Sequence, residues 1–217
     1  DAEIIGERHL QGAGRDLSPH DLEPATRILR TSSDLSMLAR SLHLKHKRFV
    51  DHFPETTVVQ DGIAEAEDAL RRVAQMLRTH GAGLVPHKER ALADSVIGVG
   101  EDLASIIVSE IGDPMRFKSG KQLVAYAGLD PKVKQSGASL ARNTAITKRG
   151  SPYLRRALFI AASVAQRYDP DLKAYYEKKR AEGKHYSPAT IANARHIAHR
   201  VLAVLKRGTP YVKRELV

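Results

Sequence analysis

The sequence predicts a mainly α-helical protein, in which a helical arm is followed by a helical domain. Apolar residues recur at three- and four-residue spacing over several long segments, as they do in amphipathic helices. Proline, glycine and serine lie at the boundaries of these segments, where helices usually begin and end. Residues 132–147 lack this periodicity, and we expect a short irregular or hairpin loop there.

The arm is predicted over residues 21–83, as a helical hairpin or a coiled coil. Its first helix, over residues 21–50, has a leucine face made of Leu35, Leu38 and Leu42. A break at Pro54 separates it from a second helix that begins near Asp61. Such an arm can join two subunits or act as a spacer, and packing onto a neighbouring domain explains the pattern equally well. Residues 1–20 are interpreted as the helical end of a longer protein.

Residues 84–217 are predicted to form the helical domain, after the boundary at residues 81–83. Two helices joined at residues 97–100 have the pattern of a helix-hairpin-helix, in which Gly98 and Gly100 allow the turn. The amide groups at the start of the second helix would bind phosphate without reading base sequence. The alternative is purely structural, because acidic residues after Gly100 also suit a helix N-terminus.

Three further elements complete this domain. A short helix over residues 118–127 ends at Gly128, which is a typical residue after a helix C-terminus. Ser151 and Pro152 are predicted to be the N-cap and the first residue of the next helix. Residues 171–186 are polar and rich in lysine, and a final helix is expected to begin at Ser187 and to stop near residue 208.

Charge and composition narrow the function. Residues 1–86 hold 11 Lys and Arg against 13 Asp and Glu, a net charge of −2, whereas residues 87–217 hold 24 against 12, a net charge of +12. The positive charge of residues 87–217 favours nucleic acid as the partner. A membrane surface would accept the same charge, but this part lacks the apolar and aromatic face of an interfacial helix. The absence of cysteine excludes disulfides, and we expect a cytoplasmic protein with no membrane segment.

The most basic stretch surrounds a serine. From residue 131 to residue 168 there is no acidic side chain, and eight residues are basic: Lys132, Lys134, Arg142, Lys148, Arg149, Arg155, Arg156 and Arg167. Ser136 and Gly137 lie within this field. A hydroxyl among guanidinium and ammonium groups suits contact with a phosphate backbone. The alternative is a solvated basic loop.

Other candidate sites carry weaker signals. The pairs His43–His46 and His196–His199 have helical spacing but no evident third metal ligand, so packing or exposure on a helix surface is favoured. Ser139 is a second candidate nucleophile. Tyrosines between residues 175 and 186 can stack on bases, although packing against the last helix is the favoured use.

Three ordered blocks resemble a known family: VIGVGEDLASIIVSEIGD, FKSGKQLVAYAGLDPKVKQSG and ITKRGSPYLRRAL. Together they resemble the C-terminal domain of bacterial transposases of the "insertion sequence 110" family, over roughly residues 92–205. The resemblance implies an N-terminal RuvC-like domain whose four acidic residues bind Mg²⁺, then a helical arm and a transposase domain with an essential serine. It implies a recombinase that a structured guide RNA directs to donor and target DNA, and that assembles as a homo-oligomer, a dimer or a tetramer.

The resemblance assigns roles to residues of this chain. Ser136 matches the family's serine, which makes it the expected catalytic nucleophile. Nucleic-acid contacts are expected from Gly98, Gly100, Lys134, Arg142, Lys148, Arg149, Arg155 and Arg156. Asp1 resembles the last acidic metal ligand, so that residues 1–20 would be the tail of the RuvC-like domain.

One departure from the family lies beside the serine, where Ala138, Leu140 and Ala141 replace the usual glycine and basic residues. This departure leaves a second function open, namely a non-catalytic nucleic-acid-binding helix-hairpin-helix module.

Overall fold

The structure, a computed structural model, describes residues 22–132, 135–136, 139–140 and 145–212, with the backbone alone at residues 135–136 and 139–140. It confirms the predicted mainly helical fold. In this part of the chain the elements are α1 (Glu23–His52), α2 (Thr57–Gly83), α3 (His87–Asp94), α4 (Glu101–Ile111), a 3₁₀ turn (Pro114–Arg116), α5 (Gly120–Tyr126), β1 (Gln135–Ser136), β2 (Ser139–Leu140), α6 (Pro152–Tyr168), α7 (Pro170–Ala181) and α8 (Tyr186–Arg207).

Helices α1 and α2 pack against each other as an antiparallel hairpin, the arm. Ser32 Oγ donates a hydrogen bond to Ala74 O at 2.7 Å, and His43 Nδ1 lies 3.0 Å from a carboxylate oxygen of Glu67. Small residues line the contact, so the two backbones approach closely. At Gly81 an added Cβ would lie 2.9 Å from Leu29 Cγ.

The arm leaves much of its apolar surface uncovered. The predicted leucine face is only partly buried, with Leu38 54% exposed, and Met76 on α2 is 70% exposed. Helix α2 also begins at Thr57, before the expected start near Asp61. Its first turn carries Val58, which is 83% exposed, so no apolar periodicity indicated this turn in the sequence.

The core of the domain lies where α6 packs against α8 and against α4. Helix α6 buries a face of mostly small residues, which includes Leu154, Leu158, Ala161, Ala162 and Ala165. Helix α8 buries aliphatic residues along most of its length. Because the α6 side chains are short, the neighbouring backbones come close to this helix.

Gly98 shows how close that approach is. It lies in the turn between α3 and α4 with φ = +93°, and an added Cβ would lie 2.4 Å from Ala161 O on α6. Glycine is therefore required here both by backbone conformation and by packing. Gly100 has φ = −88° and no atom near its Cβ position, so neither requirement applies to it.

The helix termini follow the predicted signals in part. Ser151 is confirmed as the N-cap of α6, because its Oγ accepts a hydrogen bond from Leu154 N at 3.0 Å. Gly208 ends α8 in the left-handed conformation. The start of α8 is one residue earlier than the Ser187 start expected, at Tyr186.

The polar segment after Asp169 forms a helix, α7, that the sequence pattern did not indicate. Leu172 is the one buried residue among those described in α7, which left no apolar stripe to detect. Buried Asp169 caps this helix through the amides of Asp171 and Leu172 and forms an ion pair with Arg200 of α8. No helix in the described part of the chain is long and apolar enough to cross a membrane.

Substitution of Gly98 by alanine tests this packing. We expect Gly98→Ala to lower the free energy of unfolding by about 2–4 kcal/mol, since it combines a positive φ with a backbone clash. The matched control is Gly62→Ala in the interior of α2, where nothing lies within 4 Å of the new methyl group. That control should stabilise by about 0.5–1 kcal/mol. Urea denaturation measures both, and equal stabilities would contradict the packing.

Candidate nucleic-acid interface

Ser136 lies on β1 of a β-hairpin between α5 and α6. At the base of the hairpin Lys132 N donates to Ala145 O at 2.8 Å and Thr147 N donates to Asp130 O at 2.9 Å. Farther along, β1 and β2 pair antiparallel, with Ser136 opposite Ser139. The hairpin form of the predicted loop is thus present in the backbone. The side chain of Ser136 lies outside the described atoms, as do Lys134 and Arg142, so their predicted roles stay predictions.

Backbone contacts fix the base of the hairpin to the end of α5. Lys148 N donates to Gly128 O at 3.1 Å, and Ser151 N donates to Tyr126 O at 3.0 Å. Gly150 has φ = +126°, and an added Cβ would lie 2.0 Å from Tyr126 O. Because no side chain fits there, the two chain segments can run directly against each other.

Two arginines hold the same corner through main-chain carbonyls. Arg155 Nη1 of α6 donates to Ala127 O at 3.0 Å, and Arg195 Nε of α8 donates to Leu129 O at 2.9 Å. Burial lowers the pKa of Arg195, and the nearby Tyr175 and Asp130 offset part of this effect. The predicted phosphate contact of Arg155 is untested, and the structure gives this residue a bond to the protein's own backbone.

A buried carboxylate ties this corner to the arm. Glu110 is 3% exposed, and its two oxygens receive Arg30 of α1, at 2.6 Å from Nε and 3.0 Å from Nη2. Ser151 Oγ donates to the same carboxylate at 2.7 Å. The hydrogen bond to Glu110 raises the pKa of Arg30. Glu110 therefore holds together three parts of the protein: the arm, α4 and the N-terminus of α6. Sequence analysis missed this residue, although an acidic residue within an apolar helix was a signal for it.

The remaining predicted cations lie in two different places. Lys148 and Arg149 are exposed beside the base of the hairpin. Arg156 lies in a groove of about 230 Å³ between the arm and the domain, where its Nη1 donates to Ser33 Oγ at 3.3 Å. Burial lowers the pKa of Arg156, and the positive charges of Arg40 and Arg78 lower it further. The positive charges of these guanidinium groups repel one another, so an anion such as phosphate would relieve the repulsion.

The turn between α3 and α4 brings the protein's own acidic residues to the predicted phosphate site. Asp102 lies 3.3 Å from Arg78, and Glu101 lies 3.6 Å from Arg90. Both carboxylates follow Gly100, which is the N-cap of α4, and so they occupy the positions that the macrodipole favours. The predicted phosphate contacts of Gly98 and Gly100 are untested, and packing accounts for the glycine at position 98.

No group of three potential metal ligands lies together in residues 22–132 or 145–212. His43 instead contacts Glu67. Asp1, the predicted metal ligand, lies outside the described residues.

Substitution of Glu110 by glutamine tests the buried carboxylate. We expect Glu110→Gln to lower the free energy of unfolding by about 2–4 kcal/mol, because a charged guanidinium loses its partner; partial exposure of Arg30 keeps the loss below that of a fully buried pair. The matched control on the same helix is Glu101→Gln, whose exposed contact with Arg90 should contribute little. Denaturant midpoints at constant slope measure the difference. Losses of equal size would contradict the proposed role of Glu110.

Comparison with known proteins shows which family this chain resembles. Residues 90–177 match the family described as "Transposase IS116/IS110/IS902 family". The chain is 31% identical over 158 residues to an insertion element IS110 protein of Streptomyces coelicolor, covering 72% of this chain and 39% of that protein. It is 32% identical over 130 residues to the pilin gene-inverting protein of Moraxella bovis, covering 59% of this chain and 40% of that protein.

A third relative is an insertion element IS900 protein of Mycobacterium paratuberculosis, 32% identical over 126 residues, which covers 58% of this chain and 31% of that protein. The chain thus spans less than half the length of these relatives. The matched segment contains α4, the hairpin with Ser136, all of α6 and the first part of α7. Over residues 90–177 this chain is similar to the IS116/IS110/IS902 transposase family, and its insertion-element relatives show the same likeness.

Proposed function

We propose that this chain is part of a DNA transposase or recombinase in which Ser136 attacks a DNA phosphodiester. The observation that carries the proposal is the fixed base of the hairpin: backbone hydrogen bonds of 2.8 and 2.9 Å join its two strands, and two arginines hold the adjoining carbonyls. A nucleophile needs such positioning, because small displacements cost large factors in rate. The names of the relatives, which include transposases and gene-inverting proteins, support DNA recombination as the reaction class.

Attack of the serine on the phosphodiester requires no additional reactant. A bond forms between Ser136 Oγ and the phosphorus, and one bond from phosphorus to a deoxyribose oxygen breaks. The serine proton passes to a base, and the leaving oxygen takes up a proton to become a hydroxyl group. The phosphoserine ester keeps the energy of the phosphodiester, so that a second strand can be joined by the reverse reaction. Exposed Lys148 and Arg149, beside the base of the hairpin, would stabilise charge on the phosphate.

The expected metal, guide RNA and homo-oligomer belong to the same proposal. Mg²⁺ prefers several oxygen ligands. No group of three potential ligands lies together in residues 22–132 or 145–212, so these residues alone do not form the metal site. Asp1 remains the proposed ligand from this chain. The exposed apolar residues of the arm, such as Leu38 and Met76, are the proposed contact between subunits. Donor DNA, target DNA and a structured guide RNA are the proposed partners.

A non-catalytic nucleic-acid-binding module is the second candidate. The groove between arm and domain favours it, because Arg78 and Arg156 line this groove and can hold a phosphate without any reaction. A covalent adduct between protein and DNA separates the two candidates, since only the serine mechanism forms one.

Substitution of Ser136 tests the catalytic proposal in a protein of the relatives' full length. We expect Ser136→Ala to abolish recombination and the covalent adduct, while the affinity for DNA changes less than about twofold. Ser139→Ala, at the paired position of the hairpin, is the matched control and should keep the activity. Denaturing gel electrophoresis with labelled DNA detects the adduct. Recombination by the Ser136→Ala protein would overturn the assignment.

Salt dependence tests nucleic-acid binding itself. Phosphate contacts release counterions, so with six phosphates neutralised the affinity for duplex DNA should fall roughly a thousandfold or more between 50 and 200 mM salt. Fluorescence anisotropy titrations at four salt concentrations give the slope. An affinity that does not change with salt would contradict both candidate functions.

A further inference from the structure

A basic cleft that sequence analysis did not find lies beside the serine hairpin. Helices α7 and α8 form two of its sides, and residues 145–148, which return from the hairpin, form the third. Its volume is about 400 Å³. Four of the residues that line it are basic: Lys148, Lys179, Lys184 and Arg195. They come from three separate segments of the chain, which is why no local run of charge indicated the cleft.

The cleft has an excess of positive charge. None of the residues that line it is acidic. Within the described residues, no carboxylate lies within ion-pair distance of Lys148, Lys184 or Arg195. Two acidic groups lie nearby. Glu182 accepts from Lys179 Nζ at 2.8 Å, and Asp130 accepts from Thr147 Oγ1 at 2.6 Å. At least three cations therefore remain available to an anionic ligand.

The geometry of two side chains is already fixed. Arg195 donates Nε to Leu129 O, which holds its guanidinium at the wall of the cleft. The ring of Tyr175 meets His196 edge-on at a centroid distance of 4.6 Å, and Lys179 Nζ lies 5.2 Å from the centre of the same ring. A held aromatic ring among cations is the arrangement by which proteins bind single-stranded nucleic acid, because bases stack on the ring while the cations contact the phosphates.

We propose that this cleft binds the sugar–phosphate backbone of a nucleic-acid strand, with Tyr175 as the surface on which a base stacks. The proposal rests on the proposed function, since it places that strand next to the hairpin. Ser136 is four residues along the chain from Lys132 at the paired base, so at most about 13 Å of chain separates them. That length corresponds to roughly four nucleotides of a strand. The cleft would thus hold the segment that flanks the reacting phosphodiester and keep it in register with the serine.

Removal of the cleft lysines tests the proposal. The triple variant K148Q/K179Q/K184Q is compared with K88Q/K121Q/K173Q, which removes the same charge from exposed positions outside the cleft. Both carry Ser136→Ala, so that no reaction interferes, and anisotropy is measured with 20-nucleotide single-stranded DNA, duplex DNA and RNA of one sequence. We expect the cleft variant to bind at least one of these about tenfold more weakly than the control variant, with a salt slope lower by about two to three. Equal affinities and slopes for all three probes would overturn the proposal.

A second measurement does not depend on removing charge. Because the sequence contains no cysteine, Ser187→Cys places a single thiol in the lining of the cleft. The control Lys121→Cys places it on α5, outside the cleft. We expect bound nucleic acid to slow maleimide labelling of the first thiol at least fivefold and to leave the second within twofold. The probe that protects identifies DNA or RNA as the ligand. Equal labelling of both thiols, with and without all three probes, would overturn the proposal.

Failure of the catalytic proposal would be distinguishable from failure of this one. Recombination by the Ser136→Ala protein would contradict the assignment of Ser136 as nucleophile. The weaker binding of the cleft variant would still support the cleft. Equal binding by the cleft and control variants would contradict the proposed binding cleft. A covalent adduct at Ser136 would still support the catalytic proposal.

Discussion

One buried carboxylate determines how the parts of this protein fit together. Glu110 receives Arg30 from the arm and Ser151 from the start of α6. A buried carboxylate without partners would lower the free energy of unfolding by several kcal/mol. The packing of the arm, α4 and α6 around Glu110 therefore depends on these contacts. Ser151 also caps α6 and comes four residues after Thr147, which pairs with Asp130 at the base of the serine hairpin. The orientation of the arm and the place where the hairpin leaves the domain therefore depend on the same side chain.

The hairpin itself is held mostly by backbone rather than by side-chain packing. Gly128 and Gly150 have positive φ and let the end of α5 lie against residues 148–151. Main-chain hydrogen bonds then join the segments, and Arg155 and Arg195 bind the remaining carbonyls. A base of this kind positions the chain that carries Ser136 through main-chain contacts. That suits a loop whose surroundings must accept a highly charged ligand.

The elements that the sequence predicted are those with local signals. Apolar periodicity gave the long helices, and Ser151 and Gly208 marked two of their ends. Helix α7 was missed because it buries little apolar surface and is held instead by Asp169, whose partner Arg200 lies 31 residues away. The roles of Glu110 and Arg195 could not be found either, since each depends on contacts between distant segments. Gly98 was expected to allow the turn, and it has a positive φ there, but its contact with α6 depends on the folded chain; its phosphate contact stays a prediction.

The positive charge of the second part of the chain has two different uses, and geometry separates them. Arg155 gives an N–H group to a main-chain carbonyl, and Arg200 pairs with buried Asp169, so part of the basic excess stabilises the fold. Lys148 and Arg149 are exposed, with no such bond among the described residues. Net charge alone therefore overstates the number of cations that can contact phosphate. Among the cations that remain, Lys148 and Arg149 lie at the base of the serine hairpin and Lys184 lies in the cleft beside it, where the proposed strand would pass.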